Sequence, residues 1–206
     1  MDISTIFYIA ILIMSVVIHE VSHGFAAEKL GDPTARMAGR LTLNPINHID
    51  LFGSFILPVV LVMTHSPFLF GWAKPVPYNP YNLKNQKWGP AMVAAAGPLS
   101  NLFLALIFGL VIRFSNTLQI TQSFLEISIM IVMTNIVLAV FNLIPVPPLD
   151  GSKVLFSVLP YHQARNLEMW GQQYGLILLV AVMFFAGAII EPIFRFLYTL
   201  ITGHLI

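Results

Sequence analysis

IFYIAILIMSVVIHEVSH, residues Ile6 to His23, is an apolar run that ends in three ionisable groups, His19, Glu20 and His23. Ionisable groups are costly in hydrocarbon, so three at the inner end of a membrane-length segment need a compensating partner. A metal ion supplies one. On a helix His19 and His23 are four residues apart, about 40° around the axis, and both imidazoles can reach one zinc. Glu20 lies about 100° from His19, beside the place where a water would meet that ion. The pattern suits a zinc-dependent hydrolase.

Composition places this chemistry in a membrane. The chain of 206 residues is 57% hydrophobic and only 9% charged, with a mean hydropathy of +0.83. A soluble domain carries about 25% charged residues. The net charge of +1 argues against a nucleic-acid partner, and the absence of cysteine excludes disulfides, thiolate zinc ligands and a cysteine nucleophile. Asp2 replaces a basic start and the first apolar run leads straight into the metal motif, so no cleavable signal peptide is expected.

Apolar periodicity and length predict an all-α polytopic membrane protein, with long helices at about 4–27, 91–113, 124–143 and 173–190. Shorter apolar pieces lie at 51–64 and 192–203. The whole of 1–206 reads as one integral membrane domain, with a catalytic core at about 4–155 and C-terminal helices at about 173–203. Lys29, Arg36, Arg40, Lys74, Lys84 and Lys87 lie between the first and second long helices, and Lys153 and Arg165 between the third and fourth. Arg113 and Arg195 lie at the opposite ends. The positive-inside rule then puts 28–90 and 151–171 in the cytosol and the N-terminus outside. With a helix entering near Ser4, a 1.5 Å rise puts His19 about 22 Å into a core of about 30 Å, nearer the cytosolic face. A complete crossing by 51–64 would invert the later helices and expose the Lys74, Lys84 and Lys87 cluster outside. That segment is therefore expected to re-enter the membrane or lie in its plane, as Pro58 and its short length allow.

A catalytic zinc usually takes three protein ligands and leaves a position for water. Locally, Ala26 and Lys29 stand where a longer zinc-binding motif needs Gly and His, and Glu28 lies about 140° off the His23 face. The third ligand must be remote. Asp150 is the best choice, in the stretch NLIPVPPLDG at 142–151, where three prolines break the third long helix and Gly151 permits a sharp turn.

HEVSH at 19–23, GPLSN at 97–101 and NLIPVPPLDG at 142–151 occur together in an order that resembles the site-2 protease family of intramembrane zinc metalloproteases. The similar stretch runs from about 10 to 155. GRLTLNP at 39–45 and GWAKPVP at 71–77 resemble its compact bacterial or archaeal branch, without a PDZ or CBS domain. The resemblance implies one zinc held by His19, His23 and Asp150, with Glu20 as the catalytic glutamate. It also implies that Asn142 binds a substrate carbonyl or the oxyanion, for which capping of the broken helix is the alternative. The expected reaction is hydrolysis of transmembrane protein substrates at the cytosolic side of a plasma membrane. Zinc would acidify a water and Glu20 would take its proton and pass it to the leaving amine.

A substrate helix hides its carbonyls in hydrogen bonds and must unwind first. Arg40 to Leu43 and Lys74 to Tyr78 are expected as short extended edge strands able to hold the unwound stretch. Asn101 reads as a hydrogen-bonding link between helices, and His48 and Asp50 as turn residues rather than groups behind the metal. His65, His162 and His204 read as interfacial or exposed. A metal transporter would leave Glu20 without a task, and a CAAX-type protease would not explain the Leu149-Asp150-Gly151 segment.

Overall fold

A computed structural model describes residues 3–56, 59–60, 63–64 and 72–205. Among these residues, four helices are long and apolar enough to cross a membrane: α1 (Ile3–Lys29), α2 (Gly89–Arg113), α3 (Gln122–Asn142) and α5 (Tyr161–Thr202). A short helix, α4 (Asp150–Val158), lies between α3 and α5. The protein is an all-α integral membrane protein that spans the bilayer several times. Its centre is α2, which packs on α1, α3, α4 and α5. Ala105 and Ile112 of α2, Val132, Ile136 and Val140 of α3 and Tyr198 of α5 form the main buried cluster. Much of the remaining apolar surface, such as Phe7, Phe103, Phe184 and Phe196, is exposed, as a lipid-facing surface requires.

Three expectations need correction. The apolar pieces at 173–190 and 192–203 and the polar stretch before them form one helix, α5, of 42 residues with Pro192 inside it. At 1.5 Å per residue α5 is about 63 Å long, twice a hydrocarbon core, so part of it must extend beyond the core. Gly151 does not make a turn. It lies in the first turn of α4, where a Cβ would clash with the Leu143 carbonyl oxygen, so its role is close backbone approach. Finally, no β-strand forms among the described residues. Residues 40–43 and 72–79 run as irregular chain without a ladder between them.

The connection from α1 to α2 is ordered by buried polar groups. Asp32, fully buried, accepts hydrogen bonds from the Thr34 N–H and hydroxyl, the Asn79 N–H and the Asn82 side chain. Burial alone would raise its carboxyl pKa, but these donors win and hold it below the usual carboxylate value. Leu51–Ile56 forms a π-helical turn with Leu51 and Phe52 exposed. Parts of the 51–64 segment, and His65, lie outside the described residues.

Candidate metal centre

His19 and His23 of α1 and Asp150 at the start of α4 meet at one point, although Asp150 is 131 residues from His19 in the chain. The Asp150 Oδ2 lies 3.1 Å from His19 Nε2 and 3.2 Å from His23 Nε2, and the two Nε2 atoms are 3.1 Å apart. All three residues are buried, with 6%, 9% and 8% of their surface exposed. Since His19 is on α1 and Asp150 follows α3, the two share a depth only if an even number of crossings separates them. α2 and α3 supply two.

The other ring nitrogens decide what this triangle can hold. His23 Nδ1 lies 2.7 Å from the Val93 carbonyl, which can only accept, so Nδ1 carries the proton. His19 Nδ1 lies 2.6 Å from Asn101 Oδ1. That amide is oriented by its partners. Asn135 Nδ2 donates to the Ile131 carbonyl and the Ser15 hydroxyl, which turns Asn135 Oδ1 toward Asn101. Asn101 Nδ2 donates to Asn135 Oδ1 and the Ser15 carbonyl, leaving Asn101 Oδ1 to accept from His19. Both histidines therefore protonate Nδ1 in their neutral forms, and both Nε2 lone pairs face a carboxylate oxygen. Three acceptors at 3.1–3.2 Å repel one another unless a cation lies among them. A tetrahedral zinc with bonds of about 2.0–2.1 Å places its ligand atoms about 3.3 Å apart, so the donor set fits that ion in size, charge and chemistry.

α2 supplies the mould for this arrangement. Val93, Gly97 and Asn101 are spaced by four, so they share one face. Val93 holds His23 and Asn101 holds His19. Between them, a Cβ on Gly97 would lie 2.5 Å from His23 Nε2 and 2.6 Å from His19 Nε2. Only glycine leaves that space.

A cleft of about 190 Å³ opens over the triangle and is lined by all three residues. Glu20, half-buried, lines it too, as do Asn142 and Lys153. The Val76 N–H donates to Glu20 Oε2 at 2.9 Å. Asn142 Nδ2 donates back to the Leu138 carbonyl at 2.9 Å. Lys153 Nζ lies 3.7 Å from Asp150 Oδ1 and 5.6 Å from the centre of the Tyr78 ring. Every residue singled out for the reaction thus borders this cleft. His48 and Asp50 do not. His48 bonds to the Thr42 carbonyl and Asp50 to the Gly53 N–H, as turn residues. His162 and His204 are exposed.

Residues 7–129 and 117–186 match the model of Peptidase family M50. The chain belongs to peptidase family M50. The peptidase is 36% identical over 177 residues to "Putative zinc metalloprotease YwhC" of Bacillus subtilis, across 83% of this chain and 77% of that protein. It is 30% identical over 186 residues to "Putative zinc metalloprotease Rip2" of Mycolicibacterium smegmatis, across 86% of this chain and 66% of that protein. A protein of the same printed name from Mycobacterium tuberculosis is 28% identical over 190 residues, with 91% and 70% covered. The resemblance to the site-2 protease family therefore stands. No solved structure matches the chain.

Two participants were not legible as such in the sequence. Asn101 does link helices, but it also ends on a candidate ligand, and Asn135 stands behind it. The available signal for Asn135 is an amide in the middle of the apolar run of α3, where a polar group must find a partner inside the protein.

Proposed function

We propose that this M50 peptidase is a zinc-dependent intramembrane endopeptidase that hydrolyses peptide bonds in locally unwound membrane-spanning segments of protein substrates. One observation carries the reading: two histidine lone pairs and a carboxylate converge at a single point, with Glu20 bordering the same cleft. His19, His23 and Asp150 hold one zinc. That ion supplies the Lewis acidity that lowers the pKa of water to about 7 and polarises a scissile carbonyl.

The remaining steps belong to the chain's own side chains. The Glu20 carboxylate accepts the proton of the attacking water and returns it to the departing amine, which would otherwise leave as a strong base. Asn142 keeps one amide N–H beyond its bond to Leu138 and offers it to a substrate carbonyl. Substrate enters from the lipid and must unwind locally, because a helical carbonyl is engaged by the N–H four residues on. The basic residues of the α1–α2 connection and Lys153 support a cleft that faces the cytosol of a plasma membrane.

Glu20→Gln tests the reaction without touching a ligand. The variant should retain its zinc and lose cleavage of a single-span reporter whose membrane segment carries Gly-Pro. A Glu20→Gln protein that cleaves the reporter at the normal rate rules out this mechanism.

A further inference from the structure

The WAKPVP sequence at 72–77 has no part in holding the metal, yet it crosses directly beside Glu20. This segment, 72–79, is a strap tied down along its length. The Trp72 N–H donates to the Gly53 carbonyl and the Lys74 N–H to the His48 carbonyl. Arg40, itself buried, donates through Nη2 to the Lys74 and Pro75 carbonyls at 2.7 and 3.4 Å. The Asn79 N–H ends on buried Asp32 at 2.6 Å. Pro75 and Pro77 have no N–H, so Val76 carries the sole backbone donor between Lys74 and Tyr78. It is the donor that meets Glu20 Oε2.

The side chains agree with this approach. Gly24 lies one helical turn after Glu20 on the same face of α1. A Cβ there would lie 2.8 Å from Val76 Cγ1 and 2.5 Å from Leu41 Cδ2. The missing side chain lets the strap come close enough for a main-chain N–H to reach the carboxylate, and Val76 is buried there.

We propose that the strap positions the proton acceptor: the Val76 N–H, fixed by Arg40 and Asp32 on either side, holds Glu20 Oε2 and leaves Oε1 to take the proton. The inference rests on the reading of Glu20 given above. A glutamate has three side-chain torsions and, half-buried at the edge of an open cleft, has several rotamers open to it. A charge-assisted bond from a rigid donor selects one of them before substrate arrives. The flanking prolines remove competing donors and stiffen the strap at the point of contact. The same engagement limits what the strap offers a substrate strand, since the N–H groups of Lys74, Val76 and Asn79 already have acceptors within the chain.

The test deletes one hydrogen-bond donor. Incorporating the α-hydroxy analogue of valine at position 76 of the full chain, by nonsense suppression, converts the Pro75–Val76 amide into an ester without the N–H. The same suppressed codon charged with valine is the reference, and cleavage of the Gly-Pro single-span reporter is the assay. kcat should fall about tenfold to a hundredfold, with KM within about twofold and zinc content and thermal midpoint unchanged. Val76→Pro deletes the same N–H genetically and should give the same split if the ester protein is scarce. Unchanged kcat in either variant overturns the proposal. A rise in KM with kcat preserved also overturns it, by making the strap a substrate-binding edge, and a parallel loss of zinc reduces the strap to a scaffold. Glu20→Gln measured alongside separates the two readings. If it remains active, the assignment of Glu20 as proton acceptor falls; if it is inactive while the ester protein is fully active, only the strap's role falls.

Discussion

At the scale of single residues, the centre depends on which nitrogen of each histidine carries the proton. The relay from the Ile131 carbonyl through Asn135 and Asn101 fixes that choice for His19, and the Val93 carbonyl fixes it for His23. Removing the relay should therefore weaken metal binding without removing a ligand. Asn101→Leu is expected to lower zinc affinity about tenfold to a hundredfold, measured by competition with a chelator on detergent-solubilised protein. Unchanged affinity would mean that Asn101 only links α1 to α2 and α3. The sequence singled out His19, Glu20 and His23 by the spacing of one motif, and Asp150 by the proline-broken stretch around it and its likeness to a family motif. It did not show Asn135, because a lone amide carries no spacing and becomes readable only once its neighbours on α1 and α2 are known.

At the scale of elements, periodicity placed α1, α2 and α3 to within a few residues, because each is a long apolar run with a clear polar boundary. It failed at α5. The stretch from Tyr161 to Gln172 is polar enough to resemble a loop, and Pro192 resembles a break, yet both lie within one helix. Proline costs an interior hydrogen bond in water, but a membrane helix tolerates it where neighbouring groups or local adjustments satisfy the freed carbonyl. The expected edge strands failed for a different reason. A strand needs a ladder of donors, whereas 72–79 has two prolines and gives the N–H groups of Trp72, Lys74, Val76 and Asn79 to Gly53, His48, Glu20 and Asp32. Extended sequence character was legible there; the partners that bind it to α1 and its connection were not.

At the scale of the whole molecule, the distribution of charge and the meeting of His19 with Asp150 make the same demand on topology. The ends of α1 and α3 must lie on one side, with the connection between α2 and α3 on the other. Single cysteines placed in this cysteine-free chain at Tyr81 and Asn116 can be probed in intact cells with a membrane-impermeant thiol reagent. Tyr81 is 86% exposed, and it suits the experiment better than Asn85, whose side chain accepts from the Lys87 and Trp88 N–H groups at the start of α2. Only the Asn116 site should label. Labelling at Tyr81 would place the α1–α2 connection, and with it the cleft, outside the cytosol.

The central claim is that residues brought together from α1 and α4 share one zinc, and metal analysis of purified protein tests it most directly. The wild-type chain should carry about one zinc, and Asp150→Ala should lose most of it while still inserting into the membrane. Zinc content in Asp150→Ala equal to that of the wild type would contradict the assignment.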